Sequence, residues 1–303
     1  MRVKGILILT LVVLFAFGCG SQGQGGSQAP PPGNTSTRVV NDDLQRRVVV
    51  PIKVTRVVST APSVTENIFA VGAGDRLVGV TTFCNYPEEA KSIAKIGDTM
   101  NPNMETIVAL KPDIVFVSSA SQLEAFTKTL EQNGIAVYVT NPTSMDGVIH
   151  GLEGLGHLFG TEETVNKMLP DLKRRIGNIW DQVKDEKKLR VFAQFSREPL
   201  FTIGKDSYLN AIIEKAGGES VTSNIDTAFP KLSKEAALVL QPDVIILSDS
   251  PDNQEPNEAF KNSPAVKNGR VYKVNADILS RPGPRLVDAL EQIAKLLHPE
   301  KFK

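Results

Sequence analysis

The amino-acid sequence predicts an α/β protein made of two similar halves joined by a long helix, and three observations carry that reading. From Arg38 onward, runs of β-branched residues alternate with helical patterns, the alternation that builds βαβ units around a parallel sheet. Between Ser144 and about Lys187 strand-like runs stop, and apolar residues recur at helical spacing through Ile176, Ile179, Trp180 and Val183. Finally, Glu105 to Val115 in the first half aligns without gaps on Glu235 to Ile245 in the second.

The 303 residues suffice for one large or two ordinary domains. With 34 Lys and Arg against 34 Asp and Glu, the net charge is zero, so the electrostatic footprint of a nucleic-acid binder is missing and no nucleic-acid partner is expected. Two cysteines supply neither a disulfide framework nor a four-thiolate zinc site.

Residues 1–19 read as an address. Arg2 and Lys4 precede an uncharged run from Ile6 to Phe17, shorter than the ~20 apolar residues that span a bilayer and suited to a signal-peptide core. The run ends at Ala16-Phe17-Gly18-Cys19, similar to a bacterial lipobox, whose cysteine is lipidated and becomes the mature N-terminus. Phe17 and Ala16 depart from the favoured residues of that motif. Residues 20–37 hold Gly, Ser, Gln, Pro, Thr and Asn, bury little, and form a flexible tether until Arg38 brings the first charge.

The first α/β lobe is expected over 38–143. Val48 to Val50 is a strand or hairpin arm and Val57 to Ser59 a strand; Ser63-Val64-Thr65-Glu66 has the pattern of a capping box opening a helix that runs to Gly72. Leu77 to Thr81 returns as a strand. A helix from Met104 to Leu110 stops at Lys111-Pro112, Ile114 to Ser118 is a strand, Ser121 to Asn133 a helix ended by Gly134, and Ala136 to Thr140 a strand. Residues 144–187 form the helical linker, a shorter helix followed by the long bridging one. In the second lobe, 188–303, strands are expected at Arg190 to Phe195, Val244 to Leu247 and Val271 to Val274, with helices at Ser207 to Ala216, Lys234 to Leu240 and Arg285 to Leu297. Cys84, beside Phe83 and Tyr86, is expected to be a small buried hydrophobe.

In both copies of the repeat, Glu opens a short helix, Leu is buried, Pro ends the helix and Asp precedes an apolar strand. Glu105 and Glu235 are thus presented at matching exposed points. Each could simply complement its helix dipole, worth ~0.3 to 1 kcal/mol.

Several motifs in order resemble class III ABC-transporter substrate-binding proteins, the cobalamin and iron-siderophore group. They are Arg56-Val-Val-Ser-Thr-Ala-Pro62-Ser63-x-Thr65-Glu66, Val71-Gly-Ala-Gly-Asp75, Tyr86-Pro87, Asn103-Met-Glu105, Leu110-Lys-Pro-Asp113, Arg190-Val-Phe-x-Gln194-Phe195, Phe201-Thr-x-Gly204-Lys205-x-Ser207, Gly217-Gly218 and Ser280-Arg-Pro-Gly-Pro-Arg285. The resemblance implies two Rossmann-like α/β lobes joined by one long helix, with the ligand in the cleft between them and little hinge closure. It further implies a lipid-anchored monomer on the extracytoplasmic face of the membrane, with Cys19 lipidated. Glu105 and Glu235 would dock onto the paired membrane subunits of an ABC importer through arginines.

By the same resemblance, Phe83, Phe201 and Phe229 fall at aromatic cleft positions and Asp277 where an acid lines the site, whereas Thr99 and Ser118 replace bulky aromatics. Cobalamin or a related corrinoid is the leading ligand. A ferric siderophore, the alternative, would draw on cations, for which Arg197, Lys205, Arg281 and Arg285 are candidates, although Arg285 could instead pin the last helix. Haem would want a Tyr or His ligand, and none of Tyr86, Tyr138, Tyr208 and Tyr272 sits in a ligation motif.

Other classes fare worse. His150, His157 and His298 do not make the three converging ligands of a metal-ion receptor, so no metal site is expected. Gly72-x-Gly74 follows a helix rather than a strand and lacks the Lys of a phosphate loop. No Gly-x-Ser-x-Gly or His-Glu-x-x-His occurs, so no catalytic residues and no cofactor are expected.

Overall fold

The computed structural model describes residues 36–119 and 124–303. A short antiparallel hairpin, β1 (Thr37–Asn41) and β2 (Arg47–Pro51), opens the described chain. Its turn is locked by Asp42, which is buried, accepts the backbone N–H of Leu44 and Arg46, and pairs with the Arg46 guanidinium at 2.7 Å. The first lobe follows with β3 (Val57–Ser59), α1 (Pro62–Ala70), β4 (Leu77–Val80), α2 (Met104–Ala109), β5 (Ile114–Ser118), α3 (Glu124–Gln132) and β6 (Ala136–Thr140). Two helices come next, α4 (Met145–Phe159) and α5 (Glu162–Val183). The second lobe holds β7 (Leu189–Gln194), α6 (Tyr208–Lys215), β8 (Gly218–Ser220), α7 (Lys234–Leu238), β9 (Val244–Asp249), α8 (Pro264–Lys267), β10 (Val271–Asn275), α9 (Ala276–Ser280) and α10 (Leu286–Leu297).

Each lobe is a four-stranded parallel sheet, and the two orders are β4-β3-β5-β6 and β10-β9-β7-β8. Counted from each lobe's first strand, both read second, first, third, fourth, so the halves share one topology. The expected two-lobed α/β fold is therefore the observed one. Period-2 alternation splits each third strand the same way. Ile114 and Phe116 of β5, like Val244 and Ile246 of β9, face one continuous core that also takes in Leu169, Leu172 and Ile179 of α5 and most of α10. Val115 and Val117, like Ile245 and Leu247, face separate outer clusters.

Helix α5, 22 residues and roughly 33 Å long, is therefore no free-standing strut. Its buried stripe joins the cores of both lobes, and Arg175 ties it to Asp288 and Glu291 of α10 at 2.7 and 3.1 Å. Helices α4 and α5 cross closely because Gly156 has no side chain: a Cβ there would lie 2.8 Å from Val165 Cγ2. Among the described residues no helix is long and apolar enough to cross a membrane.

The capping box is a correction. The N-cap of α1 is Ala61, Pro62 takes the first turn, Ser63 lies inside the helix, and no side chain caps it. Glu66 faces the second lobe instead, drawn by two arginines. Strand β8 has no signal of its own in the sequence because Gly217, at φ +82°, ends α6, while Gly218 starts the strand immediately after.

Candidate functional site

Strands β3 and β5 lie side by side, yet their connections lead to opposite edges of the sheet. Such a switch point leaves a crevice at the carboxyl ends of the strands. Ser118 closes β5, and Ser63 lies in the first turn of α1 just beyond β3. Both line two adjoining hollows bounded by the two lobes. The larger, about 620 Å³, is also lined by Asn141, Phe201, Tyr208 and Phe229; the smaller, about 370 Å³, by Phe83, Thr99, Met100, Asp277 and Arg281, with Ser280 common to both. Together they lie at the upper end of the ~300 to 1,000 Å³ that buries a drug-sized ligand.

Three aromatic side chains reach this cleft and are left unusually bare, Phe83 at 58%, Phe201 at 37% and Phe229 at 39% exposure. The segments carrying Phe201 and Phe229 are held in place. The Phe201 carbonyl accepts Phe195 N–H at 2.9 Å, Thr202 N–H donates to the Pro230 carbonyl at 3.1 Å, and the Phe229 ring meets Phe195 edge-on at 5.7 Å. Sequence reasoning overlooked Met100, 61% exposed beside Thr99, and the polar rim of Ser63, Asn141 and Ser280.

The cations are not free. Arg281 is buried and donates to Glu66 and Asn85 at 2.7 Å each and to Asp277 at 2.5 Å. Arg285 grips the same Glu66 through Nε and Nη2 at 2.8 and 2.6 Å, and its guanidinium stacks over the Tyr86 ring at 4.0 Å. These contacts strap the second lobe to α1 and the loop after β4. Arg281 is the sole Lys or Arg among the described residues lining the two hollows, and two carboxylates balance it. Arg197 pairs with Glu255 and Glu258 at 3.1 and 3.3 Å, Lys205 with Asp226 at 3.3 Å, and neither lines a hollow.

Tyr208 reaches the larger hollow, but its hydroxyl donates to the Leu279 carbonyl at 3.1 Å and burial pushes its pKa up, away from phenolate. Burial and the nearby Asp43 do the same to Tyr138. Cys84 is buried and accepts from Thr65 Oγ1 at 3.2 Å. His150 and His157 are exposed on α4, while His298 is buried against the Gly217 carbonyl at 3.1 Å.

The repeat folds into two matching units. Asn103 caps α2 by accepting Thr106 N–H at 2.8 Å, and Ser233 caps α7 by accepting Ala236 N–H at 3.1 Å. Asp113 accepts Arg56 N–H at 2.9 Å and Asp243 accepts Arg190 N–H at 3.0 Å. The side chains of Arg56 and Arg190 each donate to the carbonyl that ends the helix, Leu110 or Leu240, at 2.6 Å. Lys111 and Gln241 turn the chain at φ +48° and +42°. Glu105 and Glu235 stand exposed on the first turns, and the Glu235 carboxyl is held below the usual carboxylate range by its own backbone N–H and the Ser233 hydroxyl. The role of Arg56 and Arg190 has a signal in the sequence, since Arg56 directly precedes β3 and Arg190 is the second residue of β7, but the aligned repeat starts too late to include them.

Residues 57–278 match the model of the periplasmic binding protein family, and the chain belongs to that family. It is 32% identical to the ABC transporter substrate-binding lipoprotein YvrC of Bacillus subtilis, over 97% of this chain and 96% of that one. It is 30% identical to the vitamin B12-binding protein of Vibrio cholerae, over 82% of this chain and 90% of that one. Among solved structures, the periplasmic vitamin B12 binding protein BtuF of Vibrio cholerae superposes with a TM-score of 0.72 at 28% identity, covering 82% of this chain and 99% of that chain. A possible iron-binding protein from Staphylococcus epidermidis gives 0.69 at 29% identity, covering 81% and 99%. Arg2, Lys4, Cys19 and tether residues 20–35 lie outside the described residues, whereas Ser36 and Thr37, expected in the tether, join the opening hairpin, the Ser36 carbonyl accepting Ile52 N–H at 2.8 Å.

Proposed function

We propose that the protein is an extracytoplasmic receptor, anchored through Cys19, that captures a corrinoid such as cobalamin between its lobes and delivers it to an ABC importer docked at Glu105 and Glu235. The observation that carries the ligand reading is a large cleft walled by Phe83, Phe201 and Phe229, in which the sole lining cation is already balanced. A corrinoid presents a broad, largely apolar face and amide groups, which suit aromatic walls and a rim of Ser63, Asn141 and Ser280. A tri-catecholate iron complex carries negative charge that no unpaired cation here would meet. The relatives that bind vitamin B12 add support.

A neutral ferric siderophore is the second reading, favoured by the same hydroxyl and amide rim and by the likeness to a possible iron-binding protein. The test is a thermal-shift and absorbance titration of the chain started after Cys19 with cyanocobalamin, cobinamide, haemin and a panel of ferric siderophores. Saturable one-to-one stabilisation by a corrinoid is expected. Stabilisation by an iron complex alone would overturn the corrinoid reading and leave the receptor reading in place.

A further inference from the structure

We infer that each lobe meets the importer through a two-part contact, the glutamate and an exposed aliphatic residue one turn along the same short helix: Val108 beside Glu105, and Leu238 beside Glu235. Each aliphatic side chain would seat in an apolar depression on one membrane subunit. This rests on the docking reading of the glutamates.

Residues three apart share a helix face, so Val108 lies beside Glu105 and Leu238 beside Glu235. The opposite face is spent on the core, where Ile107 and Ala237, also equivalent, are completely buried. Val108 is 41% and Leu238 45% exposed, and Val239 next to it reaches 77%. Single exposed aliphatics mean little. Here the same register carries one in both copies, within units whose caps, arginine braces and left-handed turns also match, although the fold makes no demand on an exposed position.

The chemistry supports the pairing. An ion pair left in water contributes little, whereas one ringed by water-excluding contacts is stronger. Apart from Lys234, the two helices carry no charge besides their glutamates, so covering them desolvates little. The occupant is thus a two-fold partner presenting a cation next to an apolar depression, twice.

The test measures binding of the full receptor to its importer in nanodiscs at several salt concentrations around the physiological ~0.15 M. Val108→Ser with Leu238→Ser should lower affinity roughly tenfold at every salt concentration, leaving the salt slope unchanged. Glu105→Gln with Glu235→Gln should weaken binding at low salt and flatten the slope. Unfolding midpoints of both variants should match the parent, since the replaced side chains are exposed. If the serine variant binds like the parent while the glutamine variant does not, the aliphatic contact is refuted and the docking reading survives. If neither variant differs from the parent, both fall.

Discussion

The two lobes are near copies at one end and strangers at the other. Where α2 and α7 sit, caps, braces, turns and glutamates correspond position by position. At the cleft the likeness ends. In the first lobe the crevice between β3 and β5 stays open and Ser63 and Ser118 face the hollows. In the second, the corresponding crevice between β7 and β9 is plugged: Gln194 is fully buried, donates to Asn253 Oδ1 at 2.7 Å and the Glu255 carbonyl at 2.9 Å, and accepts Asn257 N–H at 2.8 Å. Its cleft wall is built from loops, the start of α6 and α9 instead. On the proposed function, a duplicated fold keeps its symmetry where it would face a two-fold partner and gives it up where it would face a ligand that has none.

The largest effect should come from breaking the symmetric end. Reversing both charges, Glu105→Arg with Glu235→Arg, should abolish uptake in cells while ligand affinity, measured by titration, stays unchanged. Retained uptake would detach the symmetry from docking. The asymmetric end breaks next at Glu66, the carboxylate that both Arg281 and Arg285 share. Glu66→Ala leaves two arginines without their common partner and should cost about 3 to 5 kcal/mol in urea unfolding. A loss under 1 kcal/mol would show that Asp277 and water suffice. Phe229→Ala, which removes a second-lobe wall without touching the first, should weaken ligand binding by ~1 to 3 kcal/mol with little change in stability, as read by titration and thermal unfolding.

The repeat was legible because it is local: Glu, Leu, Pro and Asp at fixed spacing specify a helix start, a core contact, a stop and a strand entry within eleven residues, although Leu110 and Leu240 are half-buried and the buried anchors are Ile107 and Ala237. So was the alternation that gives two α/β lobes. Glu66 was not, since its arginines stand 215 and 219 positions away and its neighbours Ser63 and Thr65 mimic a capping box. Local grammar assigns it to a helix end; a pair of guanidinium groups, that of Arg281 buried and that of Arg285 half-buried, holds a stronger claim. The same distance hid the state of the cations. Arg197, Lys205 and Arg281 look available in sequence, and only the fold reveals the Glu255, Asp226 and Glu66 that occupy them. The aromatics entered through resemblance alone, because nothing in the spacing of Phe83, Phe201 and Phe229 announces a shared cleft.

The smallest effect is also the sharpest measure of how alike the two repeated units are. Asn103 and Ser233 each accept one backbone N–H from the third residue beyond, at 2.8 and 3.1 Å, on helices of similar length that both end in a left-handed residue before proline. Replacing such a cap by alanine typically costs about 1 kcal/mol. Asn103→Ala and Ser233→Ala should therefore lower the unfolding free energy by similar amounts. The positions are far apart and share no partner, so the double variant should show the sum to within about 0.5 kcal/mol. A marked excess in the double variant would mean that the two units communicate through the continuous core around α5. A marked difference between the singles would mean that the two helices match in geometry but not in how much each lobe relies on them.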